Sequence, residues 1–392
     1  MIGSPEGYPT IDFLHIQPQT TTFDHTHCKL TAVDFRSSNL DGIKFHPKKF
    51  YDMSFHPQEA QLVISSDEEI VLWDLNSWSL KARVDSEIFT RVQYTPDGTQ
   101  IVNSKEGGFE VRDAQTLQLI SEHHNSLVDV DDDGKNTNHS FPPFPSCFTF
   151  EANSNLLFLG CTNSCIHVWD FVKKEEVAIL QQHQDEIIDI TISPNNQYFV
   201  SSSPEDIIVW SLENLNLITK KSWESWNLCN CVYYSNDELI CVDNQSVCFV
   251  DLITLEIKES FSIGELEEPS GIAINSDKSL LYVVTWVEFC IIDLLQKQTI
   301  YHLEVEDILP PLFLEKRAEG FPLGAELICF NQESQNIVIF LPIGAILVFD
   351  INSKQVVKTI WPLPDVRDAN FTNATGLTEE LKYWLAAYGA IV

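Results

Sequence analysis

Short apolar runs recur along the chain, each closed by an acidic residue or a substitute and followed by a turn and a second apolar run. VLWDLNSWSL (71–80) and LVFDINSKQVV (347–357) show the form. Seven segments share it, with the closing position at Asp74, Asp113, Asp170, Ser211, Asp251, Asp293 and Asp350. Successive closing positions are 39, 57, 41, 40, 42 and 57 residues apart. A period in this range indicates a repeat architecture.

Two further strand-like runs precede each closing segment. VQYTPDGTQIVNS (92–104) and ITISPNNQYFVSSS (190–203) place Pro-Asp-Gly and Pro-Asn-Asn between runs rich in β-branched and aromatic residues. These tripeptides are typical of turns between antiparallel strands. Each unit is therefore predicted to form four short strands. One such sheet cannot bury both faces by itself, whereas seven packed radially can, so the pattern predicts an all-β, seven-bladed β-propeller.

At these residues the chain resembles the WD40 repeat family. The resemblance is carried by the dipeptides Trp73-Asp74 and Trp169-Asp170, which end a third strand, and by His46 and His183, which stand where the family has a Gly-His histidine. It covers about residues 46–361. It implies a propeller whose blades are filled by aliphatic and aromatic side chains.

In this family a buried histidine, a serine or threonine, a turn aspartate and the tryptophan form a hydrogen-bonded network. The resemblance implies such a network in the first unit, from His46, Ser65 or Ser66, Asp67 and Trp73. In the fourth unit it implies His183, a serine among residues 201–203 and Trp210, whereas Pro204 falls where the turn aspartate would be. The last three units have neither the tryptophan nor the histidine.

The repeats divide the chain into residues 1–45, an N-terminal extension; 46–361, the propeller; and 362–392, a link and a short helix. Two segments could supply the outer strand of the last blade. One is 31–46, which would close the ring from the N-terminal side, and the other is VVKTIWP (356–362). The pattern leaves this choice open.

The two long gaps place insertions at 121–146 and 302–325, both between the outer strand of one blade and the inner strand of the next. The first is polar and acidic, which predicts a mobile loop. The second is apolar around Pro310-Pro311, and Leu309, Leu312 and Phe313 make it either a flap that packs on its own blade or a partner-docking segment.

Residues 377–392 predict an amphipathic helix. Its apolar face consists of Leu377, Leu381, Trp384, Leu385 and Tyr388. Thr378 is a suitable N-cap residue. A helix this short needs a surface to pack on. We expect either the propeller itself or a partner, in which case Leu381, Trp384, Leu385 and Tyr388 are binding residues.

The net charge of the chain limits which classes of partner it can bind. The chain carries 24 Lys and Arg against 57 Asp and Glu, a formal net charge of −33. Such a chain repels nucleic acid and anionic lipid and attracts basic proteins, although acidity can also serve solubility alone. Neither a signal peptide nor an apolar run long enough to span a bilayer is evident.

Catalytic and metal-binding motifs are missing from the sequence. The 10 Cys show no zinc-type spacing, which favours buried thiols in a reducing nuclear or cytoplasmic setting. DVDDDGKNTNHS (129–140) opens like a calcium loop, but Ser140 stands where a bidentate Glu is needed. Nucleotide-binding, zinc-protease and serine-hydrolase signatures are also missing. We therefore expect no cofactor, no metal site and no enzymatic activity.

The sequence favours a non-enzymatic protein-interaction scaffold, a propeller subunit of a larger intracellular assembly. Degenerate repeats of this kind resemble subunits of coat, nuclear-pore or chromatin complexes. A first alternative is an acidic chaperone or receptor for a basic client such as a ribosomal protein or histone. A second is a ubiquitin-ligase substrate receptor, which is weakened because Leu75 and Phe171 stand where that family signature has Arg. The complex, its compartment and any self-association stay open.

Overall fold

The architecture is taken from a computed structural model of the chain. It describes residue 36 and, with short gaps, residues 50–360 and 369–392; the longer gaps are 87–90, 127–142, 223–230, 305–326 and 361–368. The strands in this part of the chain form seven four-stranded antiparallel sheets, the number that the repeats predict.

Each blade uses four strands that follow one another in the chain. Blade 1 holds β1 (Phe50–Phe55), β2 (Gln61–Ser66), β3 (Glu69–Asp74) and β4 (Ser79–Asp85). Blade 2 holds β5 (Val92–Tyr94), β6 (Gln100–Lys105), β7 (Gly108–Asp113) and β8 (Leu119–His124). Blade 3 holds β9 (Pro145–Glu151), β10 (Leu156–Cys161), β11 (Cys165–Asp170) and β12 (Glu175–Gln181). Blade 4 holds β13 (Asp189–Ile192), β14 (Tyr198–Ser202), β15 (Asp206–Ser211) and β16 (Leu217–Ser222).

The remaining three blades repeat the order. Blade 5 holds β17 (Cys231–Tyr233), β18 (Glu238–Val242), β19 (Ser246–Asp251) and β20 (Ile257–Ser262). Blade 6 holds β21 (Pro269–Ile274), β22 (Leu280–Thr285), β23 (Glu288–Asp293) and β24 (Gln298–Glu304). Blade 7 holds β25 (Leu327–Asn331), β26 (Asn336–Leu341), β27 (Ala345–Asp350) and β28 (Gln355–Ile360). The seven predicted closing positions are the last residues of the third strands, as predicted.

The first strand of each blade faces the centre of the ring. Neighbouring inner strands contact one another from β9 through β13, β17, β21 and β25, and β25 contacts β1. β1 in turn contacts β5, and β6 contacts β9. The ring is therefore closed by side-by-side packing of blades 7 and 1.

The choice left open for the last blade is settled in favour of the C-terminal side. β28, which covers most of VVKTIWP, pairs with β27 as the outer strand of blade 7. Residues 31–46 lie outside the described part of the chain, apart from Arg36, which is in a turn.

Burial follows the position of a strand within its blade. β2 is buried at all six positions, and β15 likewise. Outer strands such as β8 and β20 are mostly exposed. The apolar clusters lie between neighbouring blades; one joins Ile240 and Phe249 of blade 5 to Val283 and Cys290 of blade 6. Burial between sheets, rather than within one sheet, therefore supplies the core.

Both predicted insertions begin later than their predicted bounds. Residues 121–124 belong to β8 and residues 145–146 to β9, because the outer and inner strands continue their pairing there. Residues 302–304 likewise complete β24. Residues 127–142 and 305–326 lie outside the described residues, and Leu309, Leu312 and Phe313 are among them.

The C-terminal segment folds back on the residues that precede it. Glu379, Lys382, Leu385 and Ala386 are helical, in agreement with the predicted helix. Ile391 forms a parallel bridge with Asn370, and its carbonyl accepts a hydrogen bond from the backbone N–H of Phe371 at 2.6 Å. Leu385 is fully buried. In the described residues no helix has the length and apolar character needed to cross a membrane.

Candidate functional site

Blade 4 contains the hydrogen-bonded network that the family resemblance implies. His183, in the connection from β12 to β13, places Nε2 at 2.6 Å from Oγ of Ser201 on β14. Trp210 on β15 donates its Nε1–H to the same hydroxyl at 2.8 Å. The prediction for His183, for one serine among 201–203 and for Trp210 is confirmed, and all three side chains are buried.

The acidic member of this network is Asp206, two residues after Pro204, which stands where the family has its turn aspartate. Asp206 is the first residue of β15, and its carboxylate pairs with Nδ1 of His183. Ser203 donates its Oγ–H to the same carboxylate at 2.8 Å and accepts the backbone N–H of Asp206. The turn thus ends two residues after Pro204 and still delivers a carboxylate to the histidine.

Nδ1 of His183 hydrogen-bonds Asp206 and its Nε2 hydrogen-bonds the hydroxyl of Ser201, whose oxygen accepts from Trp210. Burial raises the pKa of Asp206, but the hydrogen bonds from His183, Lys220 and Ser203 outweigh it and lower that pKa to about 2. Lys220 on β16 lies 2.8 Å from the second carboxylate oxygen. The network joins three strands of the blade, β14, β15 and β16, to the connection that precedes β13.

Blade 3 builds a shorter version from different residues. Trp169 donates its Nε1–H to Oδ1 of Asn125 at 3.0 Å. Asn125 lies in the connection that follows β8, as His183 lies in the connection that follows β12. The side-chain amide of Asn125 is 3.8 Å from Sγ of Cys161. The sequence analysis missed Asn125. Its only signal is the position one residue after an outer strand.

The other signature residues divide between buried positions and positions outside the described chain. In blade 1, Trp73 on β3 is 1% exposed and Ser65 and Ser66 are buried. His46 and Asp67 lie outside the described residues. Asp74 and Asp170 end β3 and β11 as predicted.

Blade 2 has a charged cluster where blades 1, 3 and 4 have the tryptophan. Arg112 precedes the closing Asp113 and donates from Nε to Oδ1 of Asn103 at 3.0 Å. Its Nη2 lies 2.5 Å from Glu110, which Lys105 also approaches at 3.6 Å. A cleft of about 290 Å³ opens over these side chains, with Asp85 and Ser86 on its blade 1 side. Each cation in the cleft is already paired with a carboxylate.

A second charged group lies on the inner strands of blades 1 to 4. Arg91, just before β5, donates to the carbonyl of Tyr51 at 3.0 Å and to that of Ser146 at 2.8 Å. Burial raises the pKa of Asp52 on β1 and raises that of Asp189 on β13 to about 6, while the charge of Arg91 opposes both shifts. This arrangement ties three blades together at the ring centre.

The closing aspartates shape the turns between third and fourth strands. Oδ1 of Asp251 accepts the backbone N–H groups of Ile253 and Thr254, and Asp113 and Asp293 do the same in their own turns. Four residues after the closing position, φ is positive in six blades, at Leu117, Lys174, Leu215, Leu255, Lys297 and Lys354. The repeat acid is therefore a turn-forming residue rather than a ligand.

Three of these turns expose an aliphatic side chain. Two residues after the closing position stand Val172, Ile253 and Leu295, which are 67%, 43% and 77% exposed. We call these three residues the aliphatic turn set. All blades have the same strand order, so their turns between third and fourth strands lie at one end of the ring. Asn76, Gln115, Glu213 and Asn352 occupy the same position in the other four blades.

The predicted partner-binding residues are mostly beyond the described chain. Leu309, Leu312, Phe313, Leu381, Trp384 and Tyr388 lie outside it, so their role stays a prediction. Leu385 is described and has no exposed surface, so it packs within the chain, which is the alternative that the sequence left open for this helix.

Residues 174–211 match the family model described as WD domain, G-beta repeat. The match runs from the turn before β12 to the end of β15, so it joins the outer strand of blade 3 to the first three strands of blade 4. It contains His183, Ser201, Asp206 and Trp210. None of the curated proteins gives a significant match to the chain. The match identifies one repeat of this family at residues 174–211, and the ring of seven four-stranded sheets is a β-propeller.

Proposed function

From a WD40-type propeller, a fold that is generally a protein–protein interaction scaffold, we propose that this chain is a non-enzymatic subunit of a larger intracellular assembly. The observation that carries the proposal is the aliphatic turn set. Val172, Ile253 and Leu295 are large apolar side chains at exposed turns, where the remaining blades carry polar residues. These side chains lie at the same end of the ring, on blades 3, 5 and 6, and are candidate anchors for a partner.

The buried networks support a scaffold role rather than catalysis. Ser201 and His183 form a hydroxyl–imidazole–carboxylate chain with Asp206, but all three are buried and Ser201 also accepts from Trp210. A nucleophile needs access to a substrate. This constellation therefore stabilises blade 4. A nuclear or cytoplasmic location, and an assembly of the coat, nuclear-pore or chromatin kind, are parts of the proposal that rest on the reduced thiols and on fold analogy.

The experiment compares proteins that co-purify with the tagged chain from its own cells. Val172→Asn and Leu295→Asn give two blades the polar residue found in blades 1 and 7, and we expect the double variant to lose partners while keeping its thermal midpoint. Asn76→Ala, at the same turn of blade 1, is the matched control. If the double variant retains every partner of the wild type, the aliphatic turn set is not the binding surface.

The net charge of −33 favours a second function, a receptor or chaperone for a basic client. Salt discriminates between the two functions. Attraction between an acidic surface and a basic partner weakens steeply as ionic strength rises, whereas apolar burial does not. Partner capture that is equal in low and high salt contradicts the basic-client function, and capture lost in high salt supports it. A ubiquitin-ligase receptor function has no support beyond the fold.

A further inference from the structure

We propose that Glu288, Cys290 and His302 form a binding site for a divalent metal ion of the zinc class on blade 6. Glu288 and Cys290 alternate on β23 and so point to the same face of the sheet. His302 on β24 is the direct cross-strand partner of Cys290. The carboxylate, thiol and imidazole ligand atoms all lie within 4.8 Å of one another.

These distances are close to those that one ion imposes. Zinc binds sulfur at about 2.3 Å and nitrogen or oxygen at about 2.0–2.2 Å in a tetrahedral arrangement, so two ligands of one ion are about 3.3–3.7 Å apart. Side-chain rotations that move the ligand atoms by about 1 Å are enough to close the set. A thiolate, an imidazole and a carboxylate together are a donor set that suits zinc or cobalt better than calcium or magnesium.

Glu288 has an unused ligand atom that points to this role. Its Oε2 is buried and accepts no hydrogen bond from the described residues, and it lies 3.4 Å from Nε2 of His302. An unsatisfied buried carboxylate oxygen is costly unless a cation takes it up. Cys290 is buried and His302 is 45% exposed, so the site has a closed thiol end and an imidazole that solvent can reach.

Comparison with other blades separates this site from an ordinary ion pair. At the same repeat positions blade 4 has Asp206, Ile208 and Lys220, with the acid 2.8 Å from the lysine. Blade 1 has Glu69, Val71 and Arg83, with the acid 3.4 Å from the arginine. In both blades the third position is a basic side chain that does not bind metal, and the middle position is aliphatic. In blade 6 all three positions are metal-ligating types.

The site lies near the end of blade 6. His302 is two residues before Glu304, the last residue of β24. A bound ion would join the end of the outer strand to β23.

The test is a titration of the full chain with Co²⁺, followed by displacement with Zn²⁺. A thiolate bound to Co²⁺ gives a charge-transfer absorption band, whereas His and carboxylate sites elsewhere in this acidic chain do not. We expect about one bound ion with this band in the wild type, and loss of the band when Zn²⁺ is added. Binding displaces the proton of Cys290, so one proton is released for each ion.

Two variants give blade 6 the residue types of blade 4. His302→Lys introduces the acid–lysine pair, and Cys290→Ile introduces the aliphatic residue. We expect both variants to keep the thermal midpoint of the metal-free wild type and to show no cobalt band. The matched control is Cys248→Ser in blade 5, because Cys248 has the same repeat position beside Ser246 and Ser260 rather than ligands. A wild-type chain without the band, or a band that survives Cys290→Ile, overturns the proposal.

Discussion

Nη1 of Arg91 donates a hydrogen bond to the backbone carbonyl of Tyr51 at 3.0 Å, so a side chain of blade 2 holds the inner strand of blade 1. Its Nε holds blade 3 through the carbonyl of Ser146. Its charge also opposes the rise in pKa that burial causes at Asp52 and Asp189, which belong to blades 1 and 4. One guanidinium therefore acts on four neighbouring blades of a ring that has no shared strand among the described residues.

Replacement of this side chain should loosen the ring. We expect Arg91→Met to lower the free energy of unfolding by about 3 kcal/mol, because two carbonyls and two carboxylates lose their cation. Arg91→Lys should recover part of the loss, because the ammonium keeps the positive charge. Recovery should be incomplete, because a lysine lacks the rigid fork of donors that lets Arg91 bind both carbonyls. The midpoint of urea denaturation measures both. The control is Lys81→Met on the exposed face of β4, where a change of less than about 0.5 kcal/mol is expected.

The carboxylate of Asp206 should make the protein sensitive to acid. Its pKa is lowered from 3.8 to about 2 in the folded chain. The unfolded chain therefore binds the proton first, and stability that is fully present above pH 4 is lost as pH falls towards 2. The shift corresponds to roughly 2 kcal/mol. Asp206→Asn should be less stable at neutral pH and show a flatter loss between these values in thermal unfolding at a series of pH values. If Asp206→Asn loses as much stability between pH 4 and pH 2 as the wild type, the lowered pKa of Asp206 is contradicted.

The sequence predicted the strands and the seven closing positions because these depend on local chemistry. An aspartate followed by a tight turn, and alternation of apolar residues, are visible within about ten residues. It did not predict Asn125 as the partner of Trp169 or Asp206 as the partner of His183. Both pairings depend on where a connection crosses the end of a blade, and sequence spacing alone does not fix that crossing.

The metal-ligating set on blade 6 was missed for a related reason. Glu288, Cys290 and His302 lack the paired spacing of a zinc motif, and only the register of β23 against β24 makes Cys290 and His302 opposite. The partner-binding residues show the converse. An amphipathic pattern identified Leu385 as apolar and helical, but the pattern cannot say whether a partner or the chain itself covers it, and the chain covers it.

Asp189 predicts a pH dependence of opposite sign to that of Asp206. Burial raises its folded pKa from 3.8 to about 6, so the folded chain holds a proton that the unfolded chain has already released. Its effect on stability therefore becomes less favourable as pH rises from about 4 to 6 and stays so above 6. Asp189→Asn, which has no proton to lose, should gain stability relative to wild type at neutral pH and lose that gain below pH 4. Thermal midpoints of both proteins at pH 4 and pH 7 provide the comparison; an equal difference at the two pH values contradicts the assignment.

The turn after β15 offers a stabilising substitution. Ser211 takes the closing position of blade 4, where blades 2, 3, 5, 6 and 7 have an aspartate whose Oδ1 accepts turn N–H groups. The backbone of this turn already matches the others, because Leu215 has φ of 58° and donates its N–H to the carbonyl of Ser211.

Ser211→Asp should therefore add the missing acceptor without moving the chain. Hydrogen bonds from the turn N–H groups to a charged acceptor contribute about 1 kcal/mol, so the urea midpoint should rise by the corresponding amount. Ser211→Ala has the same backbone and no acceptor, and it should give no increase. A rise in both variants would trace the effect to the loss of serine, whereas a rise in Ser211→Asp alone assigns to the repeat aspartate the role of holding the turn.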